Sequence, residues 1–142
     1  MKKVAINKCY GGFGLSLKAQ EMLWRLKGYN NVCFYKQEYL DDNEFKYEKI
    51  SDLYKDNLFS VCVKKDYGDI TYDIKEEDFI WDSELFDDRE DRCLVKVIED
   101  LGDKANGRFS NLKIVEIPDD VEYEIDEYDG IESIHEIHRV WS

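Results

Sequence analysis

The chain of 142 residues is 43% apolar and 14% aromatic, which suits one domain, residues 1–142, with a core of its own. Its 33 acidic and 20 basic residues give a formal net charge of -13, which excludes general nucleic-acid binding through phosphate contacts. The sequence has no run of about 18 apolar residues and no signal-peptide pattern, so we expect a cytoplasmic protein without membrane contact. Its cysteines form no C-x-x-C pair and are predicted to be reduced thiols.

The first half of the chain predicts strands separated by one helix. Residues 4–10 form a short apolar run that ends in glycines, which is typical of a strand followed by a loop. A helix follows, with Ser16 as its N-cap and Gly28 just past its end. Beyond it we expect a strand at 32–35, a mostly irregular segment at 41–56 with at most a helical turn, and a hairpin formed by 58–64 and 70–74.

The second half predicts another helix and another hairpin. A helix that starts at Asp87 or Asp88 carries an apolar stripe ending before Gly102. Strands at 112–117 and 121–125 are expected to pair with each other around a turn that contains the proline.

The remaining segment predicts a turn at 129–130 and a short helix between residues 131 and 141. Taken in chain order, these elements predict an α+β fold of one domain. In that fold, two or three helices pack on a single mixed, mostly antiparallel sheet.

The loop between the first strand and the helix is the strongest candidate for a binding site. Its sequence is NKCYGGFGLS, and a strand that runs through glycines into a helix exposes backbone N–H groups beside the positive end of the helix dipole. Such a loop can hold phosphate or carboxylate, but the spacing matches neither the P-loop nor the dinucleotide fingerprint. A ligand loop and a tight structural turn both remain as interpretations.

Positive charge is concentrated in the same part of the chain. Residues 1–37 carry a charge of +6, and the remainder carries -19. The basic opening either docks on the acidic remainder or forms a local anion site. Arg108, beside Phe109, has the same two interpretations, because a guanidinium next to a ring suits a planar or phosphorylated ligand but also offsets nearby carboxylates.

Cysteine and histidine chemistry gives two further hypotheses. Cys9 near the helix N-terminus is a candidate nucleophile with His135 or His138 as its base, against the alternative of a buried structural cysteine. On a helix, both histidines would share a face with Glu132 and offer a metal site, although the spacing of zinc proteases is absent. The alternative is a polar and aromatic C-terminal cluster of His138, Arg139 and Trp141.

An acidic segment lies near the end of the chain. Residues 119–136 contain nine acids and no lysine or arginine. Three interpretations are a phosphate mimic that occupies a nucleic-acid-binding partner, a calcium loop, and the solvated face of a hairpin. The spacing of an EF-hand is missing.

Three segments resemble a known family when they are taken together. They are NKCYGGFGLS at 7–16, LKIVEIPDDV at 112–121, and the ending from EYDG to HRVW at 127–141. They are similar to a widespread family of proteins from phages, prophages and some large viruses, and the similarity does not extend to residues 29–85. The resemblance implies an accessory factor in the host cytoplasm that counters host defence, and it implies that the matched ends converge on one site.

The leading hypothesis is a non-enzymatic binding protein for an anionic, nucleotide-like ligand. We expect no cofactor and no metal, and the sequence leaves self-association open. The alternatives are an acidic inhibitor that binds a host protein and a small enzyme that uses cysteine and histidine. The candidate ligand-binding residues are Asn7, Lys8, Cys9, Tyr10, Gly11, Gly12, Phe13, Gly14, Ser16, Arg108, His138, Arg139 and Trp141.

Overall fold

The computed structural model describes residues 1–54, 60–85 and 87–137, which form an α+β fold as predicted. The α-helices of this part of the chain are α1 (Leu17–Leu26) and α2 (Arg92–Leu101), and short 3-10 helices lie at Glu76–Asp78, Asp82–Leu85 and Gly102–Ala105. Its strands are β1 (Lys2–Asn7), β2 (Cys33–Tyr39), β3 (Phe45–Lys49), β4 (Ser60–Val63), β5 (Ile70–Thr71), β6 (Phe79–Ile80), β7 (Leu112–Ile117), β8 (Tyr123–Tyr128) and β9 (Ile131–Glu136). Every pairing between these strands is antiparallel.

The described strands form three sheets, whereas the sequence predicted a single one. β1 pairs with β7, β8 pairs with β9, and the other strands form a five-stranded sheet in the order β5-β3-β2-β4-β6. The register of the first pair joins Lys2 to Ile117 and Asn7 to Leu112. The opening strand therefore lies beside a strand from the last third of the chain.

The largest apolar cluster joins the helices to two of the sheets. Leu23 of α1 and Leu94 of α2 are fully buried and share this cluster with Ala5 of β1 and Phe34 of β2. A second cluster surrounds Tyr35, on the other face of the five-stranded sheet. A third lies between the β1–β7 pair and the β8–β9 hairpin. The helices therefore hold the β1–β7 pair and the five-stranded sheet together.

Both helices were predicted, and their ends follow ordinary capping chemistry. Ser16 caps α1 by accepting a hydrogen bond from the backbone of Ala19, and Gly28 follows the helix with a φ of 103°. α2 begins at Arg92, later than predicted, because the backbone of Arg89 is held against β1 by a 2.9 Å hydrogen bond from Ala5. In the described part of the chain, no helix is long and apolar enough to cross a membrane.

Two predictions for the middle of the chain were wrong. The segment 41–56, expected to be irregular, contains β3, which pairs with β2. The expected hairpin of 58–64 with 70–74 does not form, because β4 pairs with β2 and β6 while β5 pairs with β3. Alternating polarity identifies a strand but leaves its partner open, and here long-range contacts decide the partner. Residues 58 and 59 lie outside the described residues.

The predictions after residue 111 were right about the strands and wrong about their partners. β7 pairs with β1 rather than with β8, and the expected tail helix begins as the strand β9. Asp129 and Gly130 have φ values of 50° and 90°, which is the backbone of a tight two-residue hairpin turn. This turn pairs β8 with β9. The turn therefore determines that residues 131–136 form a strand, although the spacing of their apolar residues predicted a helix. The expected helix also included residues 138–141, which lie outside the described part.

Candidate functional site

Three loops meet at the glycine-rich segment, and the side chain of Asn7 holds them together. Its amide nitrogen donates to the carbonyls of Cys9, at 2.8 Å, and Gly130, at 2.7 Å. Its amide oxygen accepts from the backbone of Asn111 at 2.9 Å. Asn7 is completely buried. Because its amide is bonded within the protein and buried, these contacts favour a structural role for Asn7, which the sequence placed among the ligand-binding residues.

The glycines of this junction are explained by close packing of backbone. A Cβ on Gly11 would lie 2.5 Å from the Cβ of Phe109, and Gly11 has a φ of 117°. A Cβ on Gly130 would overlap the backbone nitrogen of Gly12 and lie 2.5 Å from that of Gly11. Any side chain at these two positions would push the loops apart. These contacts favour the structural interpretation of the glycines over the ligand-loop interpretation.

Several of the backbone donors that the sequence offered to an anion are already used. The N–H of Gly11 donates to the carbonyl of Asp129 at 3.2 Å. At the start of α1, the N–H of Lys18 donates to the carbonyl of Leu53, and that of Ala19 donates to the Ser16 hydroxyl. A ligand that used the N–H groups of Gly11, Lys18 or Ala19 would have to displace these bonds.

A buried ion pair that the sequence analysis missed anchors the junction. The Arg89 guanidinium donates to both carboxylate oxygens of Glu132, at 2.6 and 2.9 Å, and its carbon lies 3.8 Å from the centre of the Phe13 ring. The same carboxylate accepts from the backbone of Asn7 at 2.9 Å. Phe13, one of the predicted ligand-binding residues, therefore packs against Arg89. No local pattern in the sequence indicates a pair separated by more than forty positions.

A cleft of about 620 Å³ opens beside this junction, and two predicted residues, Ser16 and Arg108, line it. Two cations in its wall each lie near an aromatic ring that also lines it. The Nζ of Lys104 is 5.6 Å from the centre of the Tyr54 ring, and the Arg108 guanidinium is 5.2 Å from that of Phe109. Tyr54 and Phe109 are 57% and 60% exposed, so both rings offer free surface to a ligand.

Hydrogen bonds join residues 14–16 to residues 104–110 along one side of the cleft. The Ser16 hydroxyl donates to the carbonyl of Lys104 at 2.7 Å, and the Ser110 hydroxyl donates to the carbonyl of Gly14 at the same distance. The backbone of Ser16 also donates to Ala105 at 2.9 Å. Lys104 and Tyr54 were missed by the sequence analysis, because an isolated lysine after a helix and a tyrosine in a loop carry no pattern. Their role is visible only from the contact between the segments.

The other predicted residues fall outside the lining of the cleft. Lys8 and Tyr10 are exposed and Cys9 is half-buried, on the segment that leads into the junction. The predicted C-terminal members of the site, His138, Arg139 and Trp141, lie outside the described residues. Of the two matched ends of the chain, the loop at 11–12 does contact the turn at 130.

His135 lies on a strand, where alternation separates it from Glu132. Glu132 points into the protein toward Arg89, while the imidazole of His135 is exposed, with Nε2 3.0 Å from the Ser133 hydroxyl and 3.2 Å from Asp126. A catalytic triad needs the acid and the hydroxyl on different ring nitrogens, so this trio is not one. The residues that the structure describes contain no group of three side chains suited to a metal.

The chain matches no protein-family model, no curated protein and no solved structure.

Proposed function

We propose that this protein is a non-enzymatic binding protein that sequesters an anionic, nucleotide-like ligand in the cleft lined by residues 15–17, 53–54, 60 and 103–109. The observation that carries the proposal is the pair of cations, Lys104 and Arg108, each set beside an exposed ring in the wall of one cleft. A cation beside a ring suits a ligand that has both a phosphate and a planar group.

The size and charge of the cleft support this class of ligand. Its volume of about 620 Å³ lies within the range of pockets for small molecules and cofactors. Because the protein carries a net charge of -13, its general field repels anions, and a bound anion needs a local cluster of cations. Asp103, also in the wall, offers a carboxylate that can accept a hydrogen bond from a sugar hydroxyl or a base amino group.

The proposal assigns the anion to side chains rather than to the glycine-rich backbone. Arg108 and Lys104 are both exposed, and their charges are not matched by any ion pair among the described residues. The guanidinium can bind two phosphate oxygens at once, and the ammonium adds a point charge. The glycine-rich loop then contributes indirectly, by placing Phe109 against Gly11.

The biological part of the proposal follows from the resemblance to phage proteins. A phage accessory protein that binds a nucleotide messenger tightly lowers its free concentration without any chemical step. Such a protein needs a rigid, preformed site, and the hydrogen bonds between residues 14–16 and 104–110 fix the side of the cleft that carries Lys104 and Arg108.

The test is calorimetric titration with mononucleotides, dinucleotides and cyclic nucleotides. We expect one class to bind, and Arg108→Ala and Lys104→Ala each to weaken that binding by about tenfold or more, the loss of a charge-assisted hydrogen bond. Lys113→Ala is the matched control, because Lys113 is an exposed cation on β7 outside the lining of the cleft. Absence of binding across the panel, or equal losses in all three variants, would contradict the proposal.

A second candidate function uses the acidic hairpin. Glu124 and Asp126 are exposed on the outward side of β8, opposite the side whose apolar residues pack on β1 and β7. This arrangement fits an inhibitor that docks on a basic surface of a host protein. The expected signature is capture of a host protein that is lost steeply as salt rises and is abolished by Glu124→Lys with Asp126→Lys. Binding that is insensitive to salt would exclude this face as the interface.

A further inference from the structure

The strand β8 has one edge that no strand in the described part of the chain covers. β8 pairs with β9 along its whole length, and these two strands form a sheet by themselves. The opposite edge of β8 is therefore unpaired. An unpaired edge presents a row of backbone N–H and C=O groups, which is a template for the addition of another strand.

The turn at 129–130 determines which backbone groups point to that edge. In a hairpin closed by a two-residue turn, the two residues that flank the turn exchange hydrogen bonds, and every second pair along the ladder does the same. Tyr128 and Ile131 flank the turn. The N–H of Ile137 donates to the carbonyl of Glu122 at 2.8 Å, which continues this alternation. The backbone groups of residues 123, 125 and 127 therefore point away from β9, and they form the open edge of β8.

The side chains beside the open edge alternate in character. Tyr123 and Ile125 pack toward β1 and β7 in the third apolar cluster, whereas Glu124 and Asp126 are exposed on the outward side. In an added antiparallel strand, the side chains directly opposite these residues would lie on the same two faces. Opposite charges stabilise such cross-strand pairs and like charges destabilise them. The edge therefore fits a segment with basic side chains on the outward face and apolar side chains between them.

The charge of the protein argues against a second copy of the chain as the added strand. Two β8 strands side by side would bring the carboxylates of Glu124 and Asp126 near those of the other copy, and each chain carries a net charge of -13. Charged side chains on an edge strand are a common protection against such self-pairing. The same field attracts a basic segment of another protein, so charge complementarity favours that occupant.

We propose that the open edge of β8 binds an extended basic segment of another protein as an added antiparallel strand, with lysine or arginine opposite Glu124 and Asp126. This inference rests on the second candidate function, because both use the acidic outward side of β8. It adds that backbone pairing, and not charge alone, holds the partner. It also specifies the sequence of the partner segment, in which basic and apolar residues alternate.

The probe is a fluorescent peptide of alternating lysine and valine, and fluorescence anisotropy measures its binding. In an antiparallel pair, the peptide residues opposite Tyr123 and Ile125 share the inner face with them and exchange backbone hydrogen bonds with them. The valines therefore supply the N–H groups. N-methylation of the valines should weaken binding by about tenfold or more, whereas N-methylation of the lysines should leave it nearly unchanged. Equal effects of the two methylations would overturn the inference.

Hydrogen exchange of single amides, measured by NMR, gives an independent readout. In the free protein the N–H groups of Glu124 and Asp126 are bonded to β9 and should exchange slowly, while those of Ile125 and Glu127 should exchange fast. The peptide should slow exchange at Ile125 and Glu127. Peptide binding without protection of these two amides would overturn strand addition.

The contribution of charge is measured with Glu124→Gln combined with Asp126→Asn, which keeps the size of both side chains. We expect the affinity for the peptide to fall by about threefold or more. Glu76→Gln combined with Glu77→Gln is the matched control, because it removes the same charge from an exposed 3-10 helix elsewhere on the surface. Equal losses in the two double variants would mean that the peptide responds only to net charge, which would overturn the inference.

The failure of this inference can be told from the failure of the function on which it rests. A host protein captured through Glu124 and Asp126, combined with no binding of the alternating peptide, would overturn strand addition and leave the second candidate function in place. A dimer of this chain that protects the amides of Ile125 and Glu127 would assign the edge to a second copy and also overturn the inference. If Glu124→Lys with Asp126→Lys changes neither host-protein capture nor peptide binding, the second candidate function is wrong as well.

Discussion

The loop junction around Asn7 and the cleft beside it are neighbours with opposite characters. In the junction, backbone donors, the Asn7 amide and the Arg89–Glu132 pair are bonded to each other and buried. In the cleft, cations and rings of the wall are exposed. The most distinctive sequence in this chain, its glycine-rich loop, therefore belongs to the bonded junction. The groups available to a ligand sit on less distinctive segments that the scaffold positions.

The largest expected loss of stability follows from removal of the ion pair between Arg89 and Glu132. Arg89→Ala leaves the Glu132 carboxylate, only 7% exposed, without its bidentate partner. We expect the free energy of unfolding to fall by about 3–5 kcal/mol, measured by denaturant titration. Arg92→Ala, an exposed arginine at the start of α2, is the matched control and should cost less than about 0.5 kcal/mol. Similar costs for the two variants would mean that the pair does not anchor the junction.

The next largest effect concerns the glycines themselves. Gly130→Ala places a Cβ against the backbone of Gly11 and Gly12, in addition to straining a φ of 90°. Gly68→Ala is strained in the same way, with a φ of 86°, but has nothing within 4 Å of the added atom. We expect a loss of about 2–4 kcal/mol at Gly130 and about 1 kcal/mol at Gly68, by denaturant titration. Equal losses would show that backbone strain, rather than packing between loops, explains the glycine.

The sequence predicted those parts of the fold that depend on local chemistry. Both helices follow from apolar spacing and capping residues such as Ser16, and the turn at 129–130 follows from Asp-Gly. The strand partners could not be predicted, because β7 has the same alternation whether it pairs with β1 or β8. Within the site, Arg108 was found from its contrast with acidic sequence. Lys104 and Tyr54 were not, since only the fold brings them together.

A smaller effect can be measured at Tyr123, which attaches the β8–β9 hairpin to the rest of the junction. Burial, together with a 2.7 Å hydrogen bond from its hydroxyl to Glu90, raises the pKa of Tyr123 to about 12. Because this pKa is raised above its unfolded value of about 10, the stabilisation is complete below pH 10 and is lost as the pH rises through 12. Because the pKa values of Tyr35, Tyr47 and Tyr67 are raised as well, the measurement is the difference in phenolate absorbance between the wild-type protein and Tyr123→Phe, and this difference should titrate near pH 12.

Titration of Glu90→Gln shows how much of the raised pKa of Tyr123 is due to the charge of Glu90. The substitution removes the negative charge that opposes phenolate formation and keeps a hydrogen-bond acceptor, so we expect the pKa of Tyr123 to fall toward its ordinary value while the hairpin stays folded. Glu99→Gln is a suitable control, because Glu99 pairs with Lys3 instead. A Tyr123 pKa that is unchanged in Glu90→Gln would assign the shift to burial alone.

The smallest expected effect on stability concerns the exposed cations of the cleft. If the cations of the cleft bind a ligand and do not stabilise the fold, their removal should leave the free energy of unfolding of the ligand-free protein almost unchanged. Arg108→Ala and Lys104→Ala, both at exposed positions, should change the free energy of unfolding by less than about 0.5 kcal/mol. The same variants should lose most of the stabilisation that a saturating ligand gives the wild-type protein, because that stabilisation depends on affinity. A large cost without ligand would instead make Arg108 and Lys104 part of the scaffold, and the contrast between the two regions would disappear.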